Sequence, residues 1–206
     1  MIPDARMSPM SRWTSPLVLA SGSARRFEIL QTVGVPVEVD PSDADESLAA
    51  GTPAEEAVVI LARRKAADVA ARHPGRVILA ADTLVRVDDE LLGKPADADD
   101  AARMLRLMSG RWHDVLTGVV LMHDDTTRER LAVTSVRLVD ITAAEIERYV
   151  SGPEPYDKAG GYGIQAIAGW FIGEIRGSYS NVMGLPLEKV RQLLAEAGLP
   201  LPSLGS

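Results

Sequence analysis

Apolar residues fall into short runs and helical stripes separated by polar breaks. Leu17-Val18-Leu19-Ala20 is an unbroken apolar run, the pattern of a buried strand, and Ser21-Gly22-Ser23 ends it. Phe27, Leu30 and Val33 then recur at helical spacing, with Gly34 as the stop. Residues 35–39 read as a second strand and 40–52 as an acidic loop. Thr52-Pro53-Ala54-Glu55 has the form of a capping box with proline at the first helical position. It predicts a long alanine-rich helix ending at His73-Pro74-Gly75. Residues 77–81 form another buried strand, and Asp88-Asp89 turns the chain before Leu91-Leu92. Asp97 is placed to cap a helix carrying Ala101, Met104, Leu105 and Met108, stopped by Gly110. Residues 112–122 and 131–141 predict two strands joined by a polar turn over 124–130. Thr142 and Glu145 form a second capping box, opening a helix that ends at Gly152. A glycine-rich loop follows, then a strand from Trp170 to Ile175. A last helix after Leu185-Pro186 carries Leu187, Val190 and Leu194 and stops at Gly198.

Strands and helices interleave in this order without a run of βαβ repeats. The expectation is an α/β fold: one domain with a central mixed β-sheet flanked by helices. A length of 206 residues fits that. Residues 1–15 are polar and read as a disordered N-terminal extension, with alternative starts at Met7 or Met10. Residues 16–200 are expected to form the domain and 201–206 a loose C-terminal tail. No apolar stretch reaches 18 residues and none has signal-peptide form, so we expect a cytoplasmic chain with no membrane span.

Charge and composition narrow the chemistry. Lys and Arg number 22 against 29 Asp and Glu, a formal net charge of −7. That balance argues against coating nucleic acid or an anionic membrane, but allows a local cationic pocket. There is no cysteine, which excludes disulfides, thiolate nucleophiles and cysteine-ligated metal. The histidines have no metal-ligand spacing, and no Walker loop, GxGxxG or GxSxG is present.

Five segments carry candidate chemistry. Ser21 to Arg26 lies between a strand and a helix: small residues admit an anion to backbone N–H groups, and Arg25 and Arg26 add donors suited to phosphate. A serine-rich cap followed by a solvated basic turn is the plainer reading. Asp82 and Thr83 follow an apolar strand, where open α/β sheets hold ligands. Asp82 there suits a divalent metal or activation of water, and otherwise only an Asx turn. Lys94, in Gly93-Lys94-Pro95, offers a point charge. The segment 154–165 gathers Asp157, Lys158, Gln165 and three glycines. In Arg63-Arg64-Lys65 one side chain can enter a site while at least two are expected on a solvated face. Glu46 in the acidic loop can supply a second carboxylate. Trp170 and Phe171 are expected in the core.

Taken together and in order, these segments resemble the Maf-like nucleoside triphosphate pyrophosphatases. The matching stretches are LVLASGSARR (17–26), LARRKA (61–66), ADT (81–83), GKP (93–95), MSGRWHDVLTGV (108–119), DKAGGYGIQ (157–165) and GSYSNVMGLPL (177–187). Ala24 departs from the family's usual proline before the two arginines. The resemblance implies an inosine-triphosphatase-like fold with a cleft and cleavage between the α- and β-phosphates of a nucleoside triphosphate. It also implies a divalent cation (Mg²⁺ or Mn²⁺) and a homodimer. It places Asp82 as proton acceptor and Ser21, Arg25, Lys65 and Lys94 as substrate contacts, with Asp82 and Glu46 toward metal. Arg26, Thr83 and Gln165 match the specificity positions of the branch acting on dTTP and UTP. Alternatives are 7-methyl-GTP or another purine triphosphate as substrate, or a non-catalytic regulator of septum formation.

Overall fold

A computed structural model of the protein describes residues 13–165 and 167–201. Most of the expected N-terminal extension, and the tail beyond residue 201, lie outside the described residues. Second from one edge of the sheet is β1 (Leu17–Leu19), flanked in parallel by the edge strand β2 (Val37–Val39) and by β3 (Ile78–Val87). Beyond β3 the sheet turns antiparallel through β5 (Trp112–His123), β6 (Thr126–Leu138) and β7 (Ile172–Arg176). A short β4 (Glu90–Leu92) folds back on the end of β3. The sheet is therefore mixed, in the order β2-β1-β3-β5-β6-β7.

Alternation decides which helix covers which face. Val18, Ala20, Ile78, Ala80 and Val120 pack under the Ala62, Ala66 and Val69 stripe of α2 (Ala54–Ala70). Their neighbours Leu17, Leu19, Leu79, Ala81, Val119 and Leu121 point the other way, against α1 (Ala24–Thr32) and α6 (Leu187–Glu196). A third cluster lies where α3 (Ala98–Met108) and α4 (Ala143–Val150) meet the far ends of β3, β5 and β6. A one-turn α5 (Tyr179–Val182), capped by Ser178, precedes α6.

Two helix starts form as expected. Asp97 accepts from the Asp100 N–H, and Thr142 with Glu145 closes a reciprocal capping box. The box expected at Thr52 does not form. Pro53 is the N-cap without a side-chain bond, and the Thr52 hydroxyl donates to the Ala49 carbonyl at 2.7 Å. That leaves Glu55 free to pair with Arg86 at 2.6 Å. The turn expected over 124–130 is also shorter. His123 pairs with Thr126 across Asp124-Asp125, and Asp124 takes a left-handed φ of 51°. Residues 126–130 are polar yet stay in the strand, because each pairs with β5 between Val119 and His123, and Glu129 also meets Arg63 of α2 at 2.5 Å. Among the exposed residues, Trp170 corrects the expectation of core packing: it is 82% exposed, in a 3₁₀ turn before β7, while Phe171 is buried.

Candidate active site

The site arises where one strand outruns its neighbour. β1 pairs with β3 only at Val18–Ile78 and Leu19–Leu79. Past that point Ser21-Gly22-Ser23 peels away toward α1, while β3 continues to Val87, held by β5 on its other side. Asp82 and Thr83 are thus not beyond the end of a strand, as the apolar run suggested. They sit mid-strand, paired with Gly118 and Thr117, along an edge that β1 has vacated. That edge floors a cleft of about 980 Å³.

All nine site residues named from the sequence line this cleft: Ser21, Arg25, Arg26, Glu46, Lys65, Asp82, Thr83, Lys94 and Gln165. Lys65 comes from α2, and its ammonium lies 2.5 Å from Asp82 Oδ1 and 2.7 Å from Glu46 Oε1. The Lys65 bond leads the causes that hold Glu46 below the ordinary carboxylate range. Asp82 is 8% exposed, and its Oδ2 accepts no hydrogen bond among the described residues. The other two basic residues of the run have different work. Arg63 pairs with Glu129, and Arg64 donates to the Asp45 and Ser47 carbonyls, which fixes the acidic loop around Glu46.

Arg26 forms the second cluster. Its Nε donates to the Gly184 carbonyl at 2.8 Å, Nη1 to Ser21 Oγ at 3.0 Å and Nη2 to Thr83 Oγ1 at 3.0 Å. Burial pulls its pKa downward, partly offset by Asp82. Thr83 Oγ1 also lies 3.0 Å from Thr117 Oγ1. Arg25 crosses the mouth of the cleft to Asp157, 2.7 Å away. Burial alone would raise Asp157, but Lys158 and Arg25 together bring it below the usual range. Neither Thr117 nor Gly184 stood out in the sequence. A carbonyl contact leaves no trace in residue type, but a threonine inside the apolar alternation of β5 is a detectable signal.

His113 was set aside for lack of ligand spacing, and it is a buried structural partner. Its Nε2 lies 2.6 Å from the Tyr162 hydroxyl. Burial pushes its pKa down to about 4, against smaller opposing pulls from Asp114 and the Arg111 carbonyl. The folded state therefore resists a proton that the unfolded chain accepts below about pH 6.5. This contribution to stability is intact above pH 6.5 and is lost progressively as pH falls toward 4, by roughly 3 kcal/mol in all. Urea midpoints across that range should show the loss in wild type and a shallower one in His113→Gln. Parallel curves for the two would refute it.

A cleft with a buried carboxylate, converging lysines and arginines, and a strand edge open to ligand defines an α/β protein with a site suited to a polyanionic ligand. The match of residues 16–197 to the Maf-like protein model shows that the chain belongs to that family. It is 47% identical over 190 residues to a dTTP/UTP pyrophosphatase of Anaeromyxobacter dehalogenans (strain 2CP-C), covering 90% of this chain and 96% of that one. A dTTP/UTP pyrophosphatase of Myxococcus xanthus (strain DK1622) is 49% identical over 188 residues, covering 90% and 94%. Among solved structures, the Ham1 protein of Staphylococcus aureus matches at a TM-score of 0.49 and 13% identity, covering 89% of this chain and 100% of that one.

Among the described residues no three acidic or histidine side chains cluster as a closed metal cage. Asp82 and Glu46 nevertheless share one ammonium and offer hard oxygens to one side of the cleft. Two carboxylates completed by substrate phosphates is the usual donor set for Mg²⁺, so the residues fit such an ion.

Proposed function

We propose that this protein is a nucleoside triphosphate pyrophosphatase that hydrolyses dTTP and UTP, and modified pyrimidine triphosphates of the same shape, to the monophosphate and pyrophosphate. Lys65 bridging Asp82 and Glu46 on the open edge of β3, facing Arg25, Arg26 and Lys94 across one cleft, carries the reading. The cations receive the triphosphate and neutralise its charge, which holds the α-phosphorus before the strand edge. Lys65 fixes Asp82 through Oδ1, so Oδ2 is left to orient a water and take its proton as the water attacks. The bond from the α-phosphorus to the α,β-bridging oxygen breaks, and pyrophosphate leaves with that oxygen. A divalent cation entering with the substrate would be held by Asp82 and Glu46 and supplies further neutralisation of phosphoryl charge. Gln165 carries both a donor and an acceptor and can read a pyrimidine edge. Thr83 and Ser21, each fixed by Arg26, present hydroxyls to base and phosphate.

The same reading makes the protein a house-cleaning enzyme of cytoplasmic nucleotide pools and a homodimer. The exposed Trp170 just before edge strand β7 supports the dimer, which light scattering tests. No described helix is long and apolar enough to cross a membrane. A panel of UTP, dTTP, CTP, GTP and 7-methyl-GTP with Mg²⁺ should release pyrophosphate fastest from UTP and dTTP, and EDTA should stop it. Preference for 7-methyl-GTP, or no turnover of any of them, would overturn the assignment.

A further inference from the structure

Residues 158–165 connect two parts of the cleft, with Lys158 at one end and Gln165 at the other. Between them, Gly160 and Gly161 take left-handed φ angles of 71° and 70°, which other residues rarely adopt. The Gly160 N–H donates to the Gly93 carbonyl at 2.9 Å, so the first half of the segment is tied to the turn that bears Lys94. Lys158 is tied by its ammonium to the Glu154 carbonyl, 2.6 Å away. A side chain at Gly163 would run into the Lys158 stem, since its Cβ would lie 2.7 Å from Lys158 Cε.

The second half has a different anchor. Among the described residues, the bond from Tyr162 to His113 is the one side-chain hydrogen bond made by residues 162–165. Both partners are inside the protein, at 6% and 3% exposure. Their rings meet edge to face, with centroids 5.4 Å apart. His113 Nδ1 is buried with no hydrogen-bond partner. Nε2 and the tyrosine hydroxyl share the bond, one donating and the other accepting. His113 belongs to the first turn of alternation in β5, the strand that also bears Thr117 beneath Thr83. One hydroxyl-to-imidazole bond thus ties the segment carrying Gln165 to the strand that backs the reacting edge.

We infer that His113 and Tyr162 are positioning residues that set Gln165 over the cleft, so that their bond governs binding of the nucleoside while the phosphate chemistry at Asp82 proceeds without it. The inference rests on the pyrophosphatase reading above. His113 lies outside the cleft lining, and Tyr162, which borders the cleft, has its hydroxyl committed to His113; the pair acts by restricting where the segment can go, which lowers the ordering cost of each binding event.

The test is steady-state kinetics with UTP on Tyr162→Phe, His113→Leu, the double variant and His113→Gln, which keeps an acceptor where Nε2 lies. The bond should show in KM. Tyr162→Phe and His113→Leu should each raise KM about tenfold with kcat changed less than about twofold, the scale of one lost hydrogen bond. The double variant should be no worse than either single one, and His113→Gln should recover most of the affinity. Hydrogen exchange should quicken in residues 158–165 of Tyr162→Phe and stay unchanged in α2. An unchanged KM in Tyr162→Phe, additive losses in the double variant, or equal falls in kcat and stability across all four would overturn the inference. If instead the wild type released no pyrophosphate from UTP, the functional reading fails first. The exchange experiment would still report on the anchor.

Discussion

Replacing Asp82 with Asn should leave a folded protein that has lost roughly 10²- to 10⁴-fold in kcat for UTP, the range removed with a positioned general base. The fold should survive because an amide oxygen at the same place still accepts from Lys65, whose ammonium lies 2.5 Å from Oδ1, and Glu46 remains its second partner. What the amide cannot do is take a proton from water at the position of Oδ2. KM should move far less than kcat, since Arg25, Arg26 and Lys94 still receive the phosphates. A kcat within tenfold of wild type would remove Asp82 from the chemistry.

The second large effect is expected at a glycine that does not line the cleft. Gly118 of β5 lies opposite Asp82, and a Cβ placed there would be 2.4 Å from the Val58 carbonyl oxygen of α2. The obstacle is helix backbone, so no rotamer change relieves it. Gly118→Ala should destabilise the protein by about 3 kcal/mol, at the upper end of overpacking costs. For a domain of this size that is a fall of roughly 6–12 °C in Tm. Val58 and Lys65 are seven residues apart, on one face of α2. Pushing the helix outward at Val58 therefore also draws Lys65 from Asp82, and kcat should fall along with Tm. A variant with wild-type Tm would show that α2 yields there at no cost.

Much of this was legible in the chain because short-range signals governed it. The apolar run at 17–20, the cap at Asp97 and the box at Thr142 and Glu145 each rest on contacts within a few residues. The site candidates were legible only as residue types, each with a plainer reading as a cap, a turn or a solvated face, and it was the family resemblance that ordered them. What could not be read depended on partners distant in sequence. β3 runs past Ala81 because β5 pairs with it from Ile78 to Arg86, a bond pattern that hydropathy does not encode. Residues 126–130 look like a turn because they are polar, but they complete the ladder with β5. Thr52 has the right spacing for a cap, yet a nearer carbonyl takes its hydroxyl. Trp170 reads as core by residue type and lies on the surface. The role of His113 depends on a tyrosine 49 residues away.

The net charge of −7 coexists with a cationic cleft for the same reason. Arg25, Arg26, Lys65 and Lys94 are scattered along the chain and gathered by the fold, while Asp40, Asp68 and Asp100 are engaged elsewhere with arginines on the surface.

The central claim is that water attacks the α-phosphorus under the direction of Asp82. The most direct test is to let the wild-type protein hydrolyse UTP with Mg²⁺ in ¹⁸O-labelled water and to resolve the products by mass. The account predicts UMP carrying the label and unlabelled pyrophosphate. UDP with orthophosphate, or label in the pyrophosphate, would contradict it.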